Sequence, residues 1–245
     1  VVLEKARYPR DKFCGGAIGA RGDKLLESIG VRVEVPSVNV STLSLRTNYG
    51  GASANVGHIG RVVRRIEFDH ALAQQVRARG IELREDAKVS DVQRTANGVT
   101  VHSAAGLVQA RVVIGADGVT GVVRKAIGLG PSPYRAQVIE LDTEPVARDL
   151  PRDTLHFDYF APGFAGYAWD FPTIVDGQPM MCRGVYHLKL PGQAPVEIQN
   201  ILAERLAALV RNPTLGAAAR RDVTERILAA AQASATVGNL VRLLA

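Results

Sequence analysis

The sequence predicts an α/β fold joined to an aromatic-rich antiparallel β portion and a helical C-terminal region. Three observations point that way. Arg111 to Gly115 is a continuous apolar run that ends in a Gly-Ala-Asp-Gly turn, the texture of a strand buried on both faces of a parallel sheet. Most of the aromatic residues fall between Tyr134 and Tyr186, in short alternating runs punctuated by Pro and Gly. Beyond Pro195, Ile198, Ile201, Leu202, Leu206 and Leu209 recur at helical spacing.

The elements follow in order. Val1 to Glu4 reads as a short strand ending in an acid, and Pro9 to Gly22 as a glycine-rich loop. Asp23 is placed to cap a helix with Leu25, Leu26 and Ile29 on one face and Gly30 as its stop. Alternation at Val31, Val33 and Val35 and at Leu43 and Leu45 predicts strands up to Tyr49, with Gly50-Gly51 as a turn. Phe68, Leu72 and Val76 predict a helix over 68–79 that Gly80 ends. Strands are expected at 81–83, 88–93, 99–103 and 107–109, with Asn97-Gly98 as a hairpin turn. After the run at 111–115, Asp117-Gly118 turns into a short helix over 119–127. Tyr134 to Leu190 is the antiparallel portion; Pro195 to Arg211 and Leu215 to Ala235 are helical. The expected division is 1–35 with 61–130, then 36–60 with 131–192, then 193–245.

Composition excludes several classes. The two cysteines, Cys14 and Cys182, are far apart and form no zinc-spaced cluster, so neither a disulfide scaffold nor a metal site is expected. That cysteine usage fits a cytoplasmic setting. No run approaches the roughly 20 apolar residues of a membrane span. The net charge of +6 suits anionic small molecules or a membrane surface. Nucleic acid is not expected, because the densest basic stretch, Arg61 to Arg65, has no interleaved aromatics. The five His residues form no triad or metal set.

Five stretches carry chemistry. Val1-Val2-Leu3-Glu4-Lys5 is a strand ending in an acid; such an acid binds ribose hydroxyls roughly 20 residues beyond a glycine fingerprint, and no G-x-G-x-x-G occurs in this sequence. Pro9-Arg10-Asp11-Lys12-Phe13-Cys14-Gly15-Gly16 offers two glycines whose amides can approach a flat or anionic group, with Arg10 and Lys12 favouring a diphosphate. Arg65 precedes Phe68-Asp69 at a helix start. Gly115-Ala116-Asp117-Gly118, running on to Arg124, is a strand–turn–helix at a sheet edge, although Asp117 reads equally as a helix cap. Pro162 to Pro172 places Tyr167, Trp169 and Phe171 on one face of a strand, a wall for an apolar pocket.

In this order the five stretches resemble the geranylgeranyl reductase family of FAD-dependent oxidoreductases, which is related to the flavin-dependent aromatic hydroxylases. The resemblance covers about residues 1–190. It implies an incomplete Rossmann-like FAD/NAD(P)-binding domain of the glutathione-reductase type, with an inserted antiparallel β substrate domain and a helical tail. Glu4 and Lys5 would then serve the adenosine ribose, with Arg10, Lys12 and Arg65 near the phosphates. Cys14, Gly15 and Gly16 would lie at the flavin, with Cys14 as the catalytic side chain. Val89 would meet adenine through its backbone, and Asp117 and Gly118 would lie in the cofactor cleft. Tyr167, Trp169 and Phe171 would line a tunnel for an isoprenoid or similar lipid-like chain. FAD is the implied cofactor and NAD(P)H the electron donor. The implied partner is a lipid-like or aromatic small molecule, which leaves room for peripheral membrane association.

Three features depart from the family. Its N-terminal glycine-rich phosphate loop and its later Gly-Asp stretch do not occur, and Gly121 stands where a hydrogen-bonding Ser often follows Asp-Gly. The chain therefore reads as N-terminally truncated, starting at the second strand of such a fold. Two other readings stand beside the reductase: an FAD-dependent aromatic monooxygenase, and a truncated, non-catalytic nucleotide-binding remnant.

Overall fold

A computed structural model describes residues 1–118, 120–130, 134–159 and 164–210, with the backbone only at Val210. The expected helix over 215–235 and the Pro162-Gly163 start of the aromatic stretch lie outside the described residues. In chain order the elements are β1 (Val2–Leu3), β2 (Ala17–Gly19), α1 (Ala20–Ser28), β3 (Ser37–Thr47), β4 (Gly50–Val63), α2 (Arg65–Ala78), β5 (Leu83–Arg84), β6 (Val89–Thr95), β7 (Gly98–Ser103), β8 (Gly106–Ala110), α3 (Val122–Ala126), β9 (Arg135–Thr143), β10 (Thr154–Tyr159), β11 (Gly166–Val175), β12 (Gln178–Lys189) and α4 (Ile198–Val210). Among the described residues no helix is long and apolar enough to cross a membrane. The chain divides into two compact units, Val1–Arg10 with Asp69–Pro133, and Asp11–Phe68 with Tyr134–Ala245.

In the first unit β1 pairs in parallel with β5, Val2 opposite Leu83. Gly80, at φ +71°, ends α2 as its position predicts. Strands β6, β7 and β8 form an antiparallel meander. The β6–β7 reversal falls on Ala96-Asn97, and Gly98 opens β7 opposite Thr95. Gly98 has φ +148°, and a Cβ there would come within 2.4 Å of the Ala110 carbonyl oxygen, so glycine suits the point where the chain leaves the turn.

The run 111–115 is not the buried strand its composition predicts. It forms no ladder among the described residues, and Val112 and Ile114 are 74% and 87% exposed. β-branched residues favour a strand only where a neighbour supplies pairing and cover.

The second unit is a seven-stranded mixed sheet in the order β2-β4-β3-β10-β11-β12-β9. Its pairs are antiparallel except β3 with β10, where the run of Thr154 to Tyr159 lies parallel to Thr42 to Thr47. Residues 11–35 and 61–68, expected with the FAD-binding portion, fall in this unit, because β2 hydrogen-bonds to the end of β4. Residues 31–36 are irregular, and only the later part of the predicted strand region forms β3.

Asp23 does not cap α1. The N-cap is Gly19, and Asp23 lies in the first turn, where its carboxylate accepts from Arg61 Nε and Nη2 at 2.8 Å each. Leu25 and Ile29 are 66% and 65% exposed, so that helix presents no buried apolar face.

Strand alternation gives the sheet two different faces. On one, Ile139, Leu141, Ala168 and Val185 pack under Ile198, Leu202, Ala203 and Leu206 of α4, the face that the heptad-like spacing predicts. A charged ladder runs alongside: Arg183 binds Asp149 at 2.7 Å and Asp170 at 2.9 Å, and Arg205 of α4 binds Asp170 and the fully buried Asp158. The opposite face carries Val40, Val62, Leu155, Trp169, Phe171 and Cys182.

Candidate functional site

The aromatic face of the second unit is built from β11 outward. Tyr167, Trp169 and Phe171 alternate along the strand and share that face, with centroids 6.2 and 6.3 Å apart. Phe157 of β10 meets Tyr167 and Phe171 edge-on at 5.5 and 5.1 Å, and Tyr186 of β12 stacks on Tyr167 at 5.2 Å. Room for the Trp169 indole comes from its cross-strand partner Gly184, where a Cβ would lie 2.1 Å from the ring.

Across the same face runs the loop Asp11 to Gly16. A Cβ on Gly15 would come within 2.8 Å of Trp169 Nε1 and 3.0 Å of the Phe171 ring. Gly16 has φ +76°, and a Cβ there would meet the Val63 carbonyl oxygen at 1.9 Å. Its own carbonyl accepts the Val63 N–H at 3.0 Å. The structure thus brings the Cys-Gly-Gly stretch and the aromatic stretch together. The glycines let the loop lie directly on the sheet, and Cys14 remains exposed beside them.

Glu140 stands under this loop. One carboxyl oxygen accepts the Cys14 backbone N–H at 2.6 Å, and the other lies 3.8 Å from the buried Cys182 thiol. Burial is the main reason its pKa rises to about 7; Asp142 and Asp11 push the same way, while the Cys14 N–H opposes. Asp142 is also raised by burial, against the pull of Arg64, whose Nε is 3.7 Å away. Burial likewise pushes the Cys182 thiol well up, so it is held protonated and unreactive. A pocket of about 50 Å³ opens between Lys12, Cys14, Arg64, Arg65, Glu140 and Asp142.

Sequence reasoning passed over Glu140 and Asp142. Their signal was present in Ile139-Glu140-Leu141-Asp142: acids alternate with core residues on one strand, so both carboxyls share the face opposite α4.

The remaining expected residues lie in the first unit. Glu4 follows β1; its carboxylate accepts from the Ala6 N–H at 3.1 Å, Arg10 Nη2 at 3.2 Å and the Tyr8 hydroxyl at 3.3 Å. Arg10 also binds Asp69 at 3.1 Å, so this cation is engaged by two acids. Lys5 is exposed, and Val89 opens β6 opposite Ser103. Asp117 is not the N-cap of α3, which is Gly121, but its carboxylate accepts the Val123 N–H in the first turn at 3.1 Å. A Cβ on Gly121 would lie 2.1 Å from the Asp117 carboxylate, so a larger residue there would push that carboxylate aside. Gly118, at φ +79°, makes the turn.

A family model described as an FAD binding domain matches residues 2–168. A comparison with the curated proteins finds no match. Among solved structures the chain is similar to a flavin-dependent brominase, at 17% identity and a TM-score of 0.60, over 78% of this chain and 49% of that one. It is similar to a geranylgeranyl bacteriochlorophyll reductase-like protein from Thermoplasma acidophilum, at 18% identity and TM-score 0.59, over 76% and 49%. It is also similar to 2,6-dihydroxypyridine-3-hydroxylase from Arthrobacter nicotinovorans, at 18% identity and TM-score 0.54, over 78% and 50%. The chain thus spans about half the length of each of these three proteins.

Proposed function

Because this chain belongs to the FAD binding domain family, we propose that it is part of an FAD-dependent oxidoreductase that reduces carbon–carbon double bonds of an isoprenoid or similar lipid-like substrate. The observation that carries this reading is the seating of Cys14-Gly15-Gly16 on the Trp169 and Phe171 rings. It joins a site for a flat redox group to an apolar wall within one unit.

Each unit by itself offers groups of the kind FAD would need. In the first, a carboxylate has about four acceptor positions, and three on Glu4 are taken by protein donors, which leaves one for a ribose hydroxyl. In the second, Lys12 and Arg65 line one pocket and would supply cations suited to a diphosphate. Bound and reduced, with NAD(P)H as the donor, the flavin supplies the hydride. The chain's own residues do the rest. Glycines 15 and 16 would let backbone approach the ring, Cys14 would stand at the reacting carbons, and Tyr167, Trp169 and Phe171 would hold an apolar chain and keep water off it.

The test is FAD uptake by the purified chain, read by absorbance, followed by anaerobic incubation with NADPH and an isoprenoid. Saturation of a double bond is expected, with Cys14→Ala slowing it while FAD uptake stays. Product formation only in the presence of oxygen would favour the hydroxylase instead. A chain that takes up no FAD would mark a non-catalytic remnant.

A further inference from the structure

The pocket beside Cys14 contains an ionisable group that the proposed reaction has not yet used. Reduction of a double bond needs two hydrogens of opposite character: a hydride at one carbon and a proton at its neighbour. Cys182 reaches the pocket only from beneath, buried, with its thiol turned to Glu140 Oε2 at 3.8 Å, so it stands behind that carboxyl. Glu140 is differently placed. It faces the pocket, contacts the Cys14 backbone directly, and is surrounded by Asp11, Lys12 and Cys14 from the loop, Arg64 and Arg65 from the β4–α2 junction, Asp142 from its own strand, and Cys182 from β12.

We infer that Glu140 is the proton donor of this pocket, passing its carboxyl proton to the alkene carbon next to the one that receives the hydride. In this step the O–H bond of Glu140 breaks and a C–H bond forms. The π electrons of the alkene supply the new C–H pair, the hydride supplies the other, and the carboxylate is reprotonated from water. The substrate half of the inference rests on the double-bond-reductase reading; the proton-holding half does not.

Two properties support it. A carboxyl desolvated by its surroundings and flanked by acids holds its proton to about neutral pH, the range in which a general acid works best. Its hydrogen bond to the Cys14 N–H fixes it to the loop that the reading places at the ring, so the proton and the Cys-Gly-Gly backbone are held as one piece.

The test compares the full chain with Glu140→Gln, which keeps an oxygen to accept the Cys14 N–H but cannot titrate. In the protein without added FAD, infrared difference spectra or carboxyl carbon NMR across pH should show one protonated carboxyl with a midpoint near 7 that the variant lacks. A wild type in which every carboxyl titrates in the ordinary range overturns the inference. With FAD, NADPH and an isoprenoid, the variant should lose about 10²- to 10⁴-fold in kcat at similar KM, together with the alkaline fall of the rate. A variant that keeps the wild-type kcat and pH profile overturns it as well. If the wild type saturates no double bond, the reductase reading falls and the alkene falls with it as proton acceptor, while the titration still decides whether Glu140 holds the proton.

Discussion

Glu140 ties stability to pH in a direction unusual for a carboxylate. Its folded pKa of about 7 lies above the ordinary value of 4.5, so between those limits the folded chain holds a proton that the unfolded chain has released. By linkage, this stabilising contribution is complete below about pH 4.5 and disappears as pH rises through about 7. At about 1.4 kcal/mol per pH unit, the shift corresponds to an effect on the order of 3 kcal/mol. Urea melts of wild type and Glu140→Gln should therefore show a fall in stability across that window that the variant lacks. A second residue-scale prediction concerns Gly184. An added methyl would strike the Trp169 indole, so Gly184→Ala should cost about 1–3 kcal/mol in urea unfolding. Shortening Trp169 to Leu in the same chain should remove much of that penalty, because the two groups compete for one volume.

At the scale of elements, α4 is held by apolar contact and by charge. Leu202 is 1% exposed between Ile139, Leu141 and Val185, so Leu202→Ala should cost about 2–5 kcal/mol, read from the urea midpoint. This helix was legible in the sequence because its 3.6-residue period and its burial agree. The β6–β7–β8 meander was legible for a similar reason, since turn residues and strand residues alternate over short distances. Two elements misled. Arg111–Gly115 has strand composition but no partner strand among the described residues, and composition cannot report pairing. Leu25 and Ile29 have helical spacing but face solvent, because α1 is held through the Asp23–Arg61 ion pair instead. The candidate site was legible in its glycines and aromatics, whose geometric demands are strong. It was not legible at Glu140, because a carboxylate becomes special only through what a distant loop and strand place around it.

At the scale of the whole molecule, the basic balance bears on the cofactor. A net charge of +6 should draw an anionic diphosphate more than an uncharged ring. FAD affinity should therefore weaken as ionic strength rises from about 0.01 to 0.1 M, over which the screening length falls from about 30 to about 10 Å. Riboflavin, which has no phosphate, should show little change in the same titration. The stack of Gly15, Trp169 and Gly184 adds an optical consequence. This is the chain's single tryptophan, so its entire indole emission arises at the junction of the Cys-Gly-Gly loop and the aromatic face. Quenching or a colour change of that emission is then a built-in, label-free report on whatever settles there.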